Sequence, residues 1–342
     1  VIEARRACEL GRAWFAEPTQ PGPEALVDGR QASLDEAIRR SAQILRDARY
    51  PLVYGLVHTT TEAQRAAVGL ADRIGGVVDT PSSRVGPIGS AIQGVGKASC
   101  TLGTITQRGE LLLYWGADPA ATHPRHFTRY TLTPEGRFID GGRRGRYVVV
   151  VDERRTASAD LADEFLEVRP GSHFASLWTL RAVVGGAELH AGEVERATGV
   201  PLDTWRRLAA RLRRDDERRC GDRHPRYGVL LYGQGLTRES SGRVNVEAAL
   251  ALVHDLNAFG RFSVRSLGGS GNTTGSENVL TWRTGYPASV DLARGFPSRL
   301  SPPIAANATW ALHTAECVRL VLVAVVCFIS SPNRAINGGR SS

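Results

Sequence analysis

Short, wholly apolar runs cut off by glycine or aspartate alternate along this chain with segments whose apolar positions recur at helical spacing. Residues 111–115 (LLLYW) stop at Gly116-Ala117-Asp118-Pro119, and residues 147–151 (YVVVV) stop at Asp152. Residues 227–232 (YGVLLY) stop at a glycine-rich turn. Runs rich in β-branched and aromatic residues, with no polar alternation, fit strands covered on both faces of a parallel sheet. Between them lie helical patterns. Ser33 with Glu36 reads as a capping box, and Leu34, Ile38, Ala42 and Leu45 share one helical face. Residues 52–57 (LVYGLV) read as a strand. Thr59 with Glu62 reads as a second capping box, opening a helix that runs to Ile74 and stops at Gly75-Gly76. Residues 77–79 and 165–168 read as short strands, with helices at 174–184, 192–198, 201–213 and 244–257. Strand and helix in alternation predict an α/β fold with mostly parallel sheets. Ligands of such sheets sit at the carboxyl ends of strands, where the Gly-x-Asp-Pro and Asp-x-Arg turns fall.

Charge alters this picture less than it first suggests. The 342 residues carry a net charge of +8, with 43 basic and 35 acidic residues. Lys97 is the one lysine, and the arginines are scattered among acidic residues. The densest clusters, Arg143-Arg144-Gly145-Arg146 and residues 206–219, lack the stacking aromatics that single-strand binding uses. A solvated surface or a protein interface is favoured over nucleic acid. Five cysteines, none in a C-x-x-C pair, argue against a disulfide framework and for a reducing, cytoplasmic compartment. The N-terminal residues lack the apolar core of a signal peptide. The longest apolar run, 318–329, is broken by Arg319 and is too short to span a bilayer. The chain contains no Met, which suggests a fragment or an alternative start.

Candidate chemistry is sparse. His123-Pro124-Arg125-His126 has no neighbouring Cys, Asp or Glu to complete a metal site, so structural or anion-contact roles are favoured. Residues 268–275 (GGSGNTTG) could offer backbone N–H groups to a phosphate, but lack the Lys-Ser/Thr of a P-loop. No G-x-S-x-G elbow is present. The acidic residues nominate no general acid/base pair, so no catalytic residue is assigned.

The order of motifs carries a resemblance. Residues 116–119 (GADP) after a strand, then 150–173 (VVDERRTASADLADEFLEVRPGSH), resemble the molybdopterin oxidoreductase superfamily. More closely, the chain is similar to the B-subunit family of formylmethanofuran dehydrogenase, over about residues 1–297. Ala7-Cys8-Glu9-Leu10-Gly11, Ala91-Ile92-Gln93-Gly94-Val95-Gly96, Thr101-Leu102-Gly103 and Trp115-Gly116 carry this likeness. So do residues 123–130 (HPRHFTRY), Asp255-Leu256-Asn257, Gly271-Asn272 and residues 282–287 (WRTGYP).

The resemblance implies a molybdopterin-oxidoreductase-like fold with two Rossmann-like lobes. Residues 1–27 would be a remnant of a cluster-binding segment. Residues 28–83 with 227–297 would form a first, discontinuous lobe, and 84–226 an inserted second lobe. Residues 298–342 would be an atypical tail, disordered or frame-shifted. The resemblance also implies a groove for the pterin guanine dinucleotide at Gly116, Asp118, Pro119, Asp152, Arg154, Thr156 and Gly171.

The departures from the family pattern bear on function. The family's cofactors are molybdenum or tungsten on two pterin guanine dinucleotides, and a [4Fe–4S] cluster. Cys8 matches one cluster cysteine, but its companions are absent, and a cluster takes four thiolates. Arg84 and Val85 stand where archaeal members have the Cys-His pair whose Cys ligates the metal, and a permanent cation is no soft ligand. Asp118 replaces the usual Asn, placing a carboxylate toward a phosphate-bearing cofactor, and His173 replaces the usual Asp. The resemblance therefore implies a vestigial groove without cofactor or metal. It points to the bacterial formyltransferase/hydrolase complex, with A, C and D subunits as partners and no membrane or nucleic-acid partner. Two alternatives stand beside it: an active molybdenum or tungsten subunit, and a free-standing nucleotide-binding α/β module.

Overall fold

The computed structural model describes residues 9–16, 25–81, 83, 88–213, 227–237, 241–268, 271–300 and 322–324. Cys8, Arg84 and Val85 lie outside them. The chain divides into two compact units, residues 1–40 with 84–269, and residues 41–83 with 270–342.

The larger unit opens with helix α1 (Glu9–Ala16) and a hairpin of β1 (Ala25–Val27) and β2 (Arg30–Ala32). Helix α2 (Leu34–Asp47) crosses the division between units. Ser33 Oγ accepts from the Glu36 N–H, as the capping box requires. The face expected to pack does not do so throughout: Leu45 is buried, but Leu34 and Ile38 remain 50% and 56% exposed.

The smaller unit contains β3 (Leu52–Tyr54), α3 (Thr61–Ile74) and β4 (Val77–Asp79). The strand expected over 52–57 ends early because Gly55 and Leu56 turn to positive φ, 112° and 68°. The α3 cap is Thr60 rather than Thr59; its side chain accepts from the Ala63 N–H.

In the larger unit, α4 (Ile88–Val95) and α5 (Leu102–Arg108) lead into β5 (Gly109–Trp115). Then come α6 (Pro119–Thr122), β6 (Tyr147–Asp152), β7 (Glu164–Glu167), α7 (His173–Val184), α8 (Ala191–Thr198) and α9 (Leu202–Arg213). After these follow β8 (Tyr227–Tyr232), α10 (Gln234–Thr237), α11 (Gly242–Leu256) and β9 (Arg261–Ser266). The five strands form one parallel sheet in the order β7-β6-β5-β8-β9. This is the doubly wound order, with its topological switch point between β5 and β8.

Successive residues of β5 explain the layers. Leu111, Leu113 and Trp115 pack with α7, α9 and α11, while Leu112 and Tyr114 pack with Ile105, Phe127 and Leu132 on the opposite face. Both faces are covered, so no polar alternation is required. Each fully buried large side chain contributes about 1.5–3 kcal/mol.

The strand order corrects one expectation. The resemblance groups residues 227–297 with 28–83, but β8 and β9 belong to the sheet of β5, in the unit of residues 1–40 and 84–269. A cut at 226 looks natural because the charged segment 214–226 reads as a connection. The β8 run pairs with β5 over its full length, and strand pairing of this kind cannot be read from periodicity.

The smaller unit is completed by α12 (Thr273–Thr284), β10 (Val290–Asp291), β11 (Ser298–Arg299) and β12 (Leu322–Ala324). Its sheet runs β11-β10-β4-β3-β12. The tail expected to lack structure therefore supplies two strands, β12 pairing in parallel with β3. The exposed backbone edge of β3 gives a local reason for that pairing. Asp79, fully buried at the end of β4, accepts from the Thr80 N–H, the Ser83 hydroxyl, and both the N–H and hydroxyl of Ser289.

Candidate functional site

The carboxyl edge of the five-stranded sheet gathers the residues singled out in the sequence. Gly116, Asp118 and Pro119 follow β5, Asp152, Arg154 and Thr156 lie at or after the end of β6, and Gly171 lies between β7 and α7. At the switch point the backbones of two turns interlock. Gly116 has φ 54°, its N–H donates to Val151 O, and its carbonyl accepts from the Gly235 N–H at 2.9 Å. A methyl on Gly116 would stand 2.6 Å from Leu236 N, and one on Gly233 would stand 2.7 Å from Gly116 O. The glycines are required by the approach of one strand end to the other.

The donors along this edge are taken up by the chain's own carboxylates. Asp118 Oδ1 accepts from the Ser158 N–H at 3.1 Å and from the Ser158 hydroxyl, and Ser158 Oγ in turn accepts from the Ala120 N–H. Glu153 Oε1 accepts from the Gly171 N–H at 2.7 Å, and Asp152 Oδ1 from the Glu153 N–H at 2.8 Å. Asp118 is thus turned onto Ser158 through Oδ1. Burial pushes the Asp152 carboxyl above its usual range, with the Glu153 N–H opposing the shift. Arg154 is exposed, and Thr156 Oγ1 accepts from the Ala159 N–H at 3.4 Å.

His173 does not line an open groove. Its ring is buried, Nδ1 accepts from Trp115 Nε1 at 3.2 Å, and Nε2 lies 3.4 Å from Glu153 Oε1. Trp115 also stacks on Trp205, with centroids 6.3 Å apart. No pattern along the chain marks Ser158 or Glu153 as clamps, because their partners Asp118 and Gly171 are 40 and 18 residues away.

The residues around His126 form a second arrangement. Tyr114 Oη lies 3.0 Å from His126 Nε2 and donates to Thr131 Oγ1 at 2.9 Å, so the imidazole supplies its own Nε2–H to the phenol oxygen. A π-helical turn, Phe127–Thr131, follows directly. His123 lies with its ring centroid 6.5 Å from that of His126. Burial, with smaller contributions from His123 and Arg265, lowers the His126 pKa from 6.5 to about 4. A histidine whose folded pKa is depressed contributes stability that is present above the unfolded pKa and lost as pH falls toward the folded one. Unfolding free energy is expected to drop by up to about 3 kcal/mol between pH 6.5 and 4 from this group. His126→Gln retains a donor to Tyr114 without titrating. Thermal unfolding of that variant across the same pH range should show a shallower slope, and a slope equal to wild type would refute the assignment.

The donor set tests the groups that the family resemblance implies. Among the described residues no group of three or more His, Cys, Asp and Glu is arranged to hold a metal ion. Cys100 is buried, and burial raises its thiol pKa, which disfavours the thiolate that a cluster or soft metal takes. Along the sheet edge, the Ser158 and Gly171 amides are bonded to Asp118 and Glu153. The positions that the resemblance gives to the cluster and metal ligands, Cys8, Arg84 and Val85, lie outside the described residues, and no chemical step is derived through either group.

No protein-family model matches the sequence. The B subunit of tungsten-containing formylmethanofuran dehydrogenase 2 of Methanocaldococcus jannaschii is 35% identical over 306 residues, covering 87% of this chain and 67% of that protein. The protein of the same name from Methanococcus maripaludis is 32% identical over 306 residues, covering 87% and 68%. Among solved structures, the formyltransferase/hydrolase complex FhcABCD of Methylorubrum extorquens with methylofuran superposes with a TM-score of 0.62 at 22% identity, covering 81% of this chain and 69% of that one. Acetylene hydratase of Pelobacter acetylenicus gives 0.50 at 13% identity, covering 67% and 33%. These two structures share the fold, which is α/β of the molybdopterin-oxidoreductase kind. The identity to the two archaeal proteins, spread over most of both chains, decides the assignment: this chain belongs to the B-subunit family of formylmethanofuran dehydrogenase.

Proposed function

We propose that this chain is the B subunit of a cytoplasmic formyltransferase/hydrolase complex in tetrahydromethanopterin-linked one-carbon metabolism. In it, the formyl group passes from tetrahydromethanopterin to a methanofuran-type carrier and is released as formate. Within that complex, with A, C and D subunits as partners, the chain serves as a non-redox scaffold. The feature that carries this reading is Arg84, a permanent cation where the resemblance puts the family's metal-ligating cysteine. The inward bonding of Asp118 and Glu153 supports it, since the Ser158 and Gly171 amides they hold are not free for an anionic cofactor. Gly116, Asp118, Pro119, Asp152, Arg154, Thr156 and Gly171 are then the vestige of the pterin groove.

The test is purification of the native complex, with mass spectrometry of its subunits and elemental analysis. The expected result is A, C and D subunits with molybdenum and tungsten far below one atom per chain. Stoichiometric metal with pterin would establish the active-subunit reading instead. A monomeric, nucleotide-bound chain would favour the free-standing module, which the doubly wound strand order also suits. In the same complex, Arg84→Cys is expected to acquire no metal, because a single thiolate does not restore the groove. Metal incorporation by that variant would contradict the scaffold assignment.

A further inference from the structure

We draw no further inference here: the strongest candidate, the cluster in the smaller unit where Asn272 at the start of α12 meets the first turn of α3 around the buried Gln64, selects no ligand, because Gln64 Oε1, buried without a partner among the described residues, is an acceptor and opposes the anion that two helix N-termini favour.

Discussion

Gly116→Ala is expected to destabilise the larger unit by about 4 kcal/mol, the sum of two separate costs. An alanine at φ 54° stands in the left-handed region, which costs about 1–2 kcal/mol for a residue with a Cβ. The methyl group would also lie 2.6 Å from Leu236 N, 3.0 Å from Gly235 C and 3.3 Å from Gly235 Cα. Those atoms are backbone of α10, directly after β8, and cannot swing aside as a side-chain tip could. Overpacking of this kind costs about 1–3 kcal/mol. The Gly235 N–H to Gly116 O bond, 2.9 Å, is the contact first lost as the turns separate. The comparison is Gly192→Ala in α8, where nothing lies within 4 Å of the new methyl and φ needs no glycine. That variant should be stabilised by about 0.5–1 kcal/mol. Denaturant unfolding of both variants measures the contrast. Equal midpoints would show that the strand ends at the switch point are not rigidly opposed.

Arg146→Met should cost at least about 3 kcal/mol, for a reason that has nothing to do with an ion pair. The guanidinium is buried, and Nη1 and Nη2 donate to four carbonyls: Ile105 at 3.2 Å, Gly109 at 2.7 Å, Thr106 at 2.9 Å and Pro134 at 2.9 Å. These carbonyls belong to the end of α5, the start of β5 and the loop that leads back toward β6. One side chain thus closes the segment 105–146 on itself. Burial lowers the Arg146 pKa, a cost that the carbonyl contacts offset. Methionine fills similar length without a donor and takes the guanidinium from all four carbonyls, of which Ile105 O keeps the Gly109 N–H. Arg146→Lys should fall between, because an ammonium has three donors and no planar fork to span the four carbonyls. Hydrogen exchange of α5 amides together with global unfolding would measure the effect. A methionine variant as stable as wild type would mean that water replaces the guanidinium at no cost.

These residues also mark where the sequence is readable. The apolar runs at 111–115, 147–151 and 227–232 are buried parallel strands, since residues covered on both faces leave no choice of period. The turns that follow them, at Gly116 and Asp152, lie at the strand ends where a doubly wound sheet places its crevice. Arg146 reads as part of a solvated basic cluster, Arg143-Arg144-Gly145-Arg146. Its burial is invisible there because the four carbonyls that receive it are contributed by backbone, and backbone leaves no trace in residue identity. Thr60 rather than Thr59 as the α3 cap is a smaller miss of the same sort, since adjacent threonines offer the same hydroxyl and backbone geometry chooses between them.

Residue type and spacing suffice for the α/β class, the strands of the main sheet, the family likeness and the position of Arg84, because each is written in the order of the residues. Four further matters needed the folded chain. The placing of β8 and β9 beside β5 depends on hydrogen bonds between distant segments. Asp118 turns onto Ser158 and His173 into the core, since a side chain's direction follows from the partner that reaches it. Part of the tail joins β3 as a strand, through backbone groups that any sequence carries. Trp282 stays uncovered beside Arg65, a property of a packed surface that periodicity along one helix cannot express.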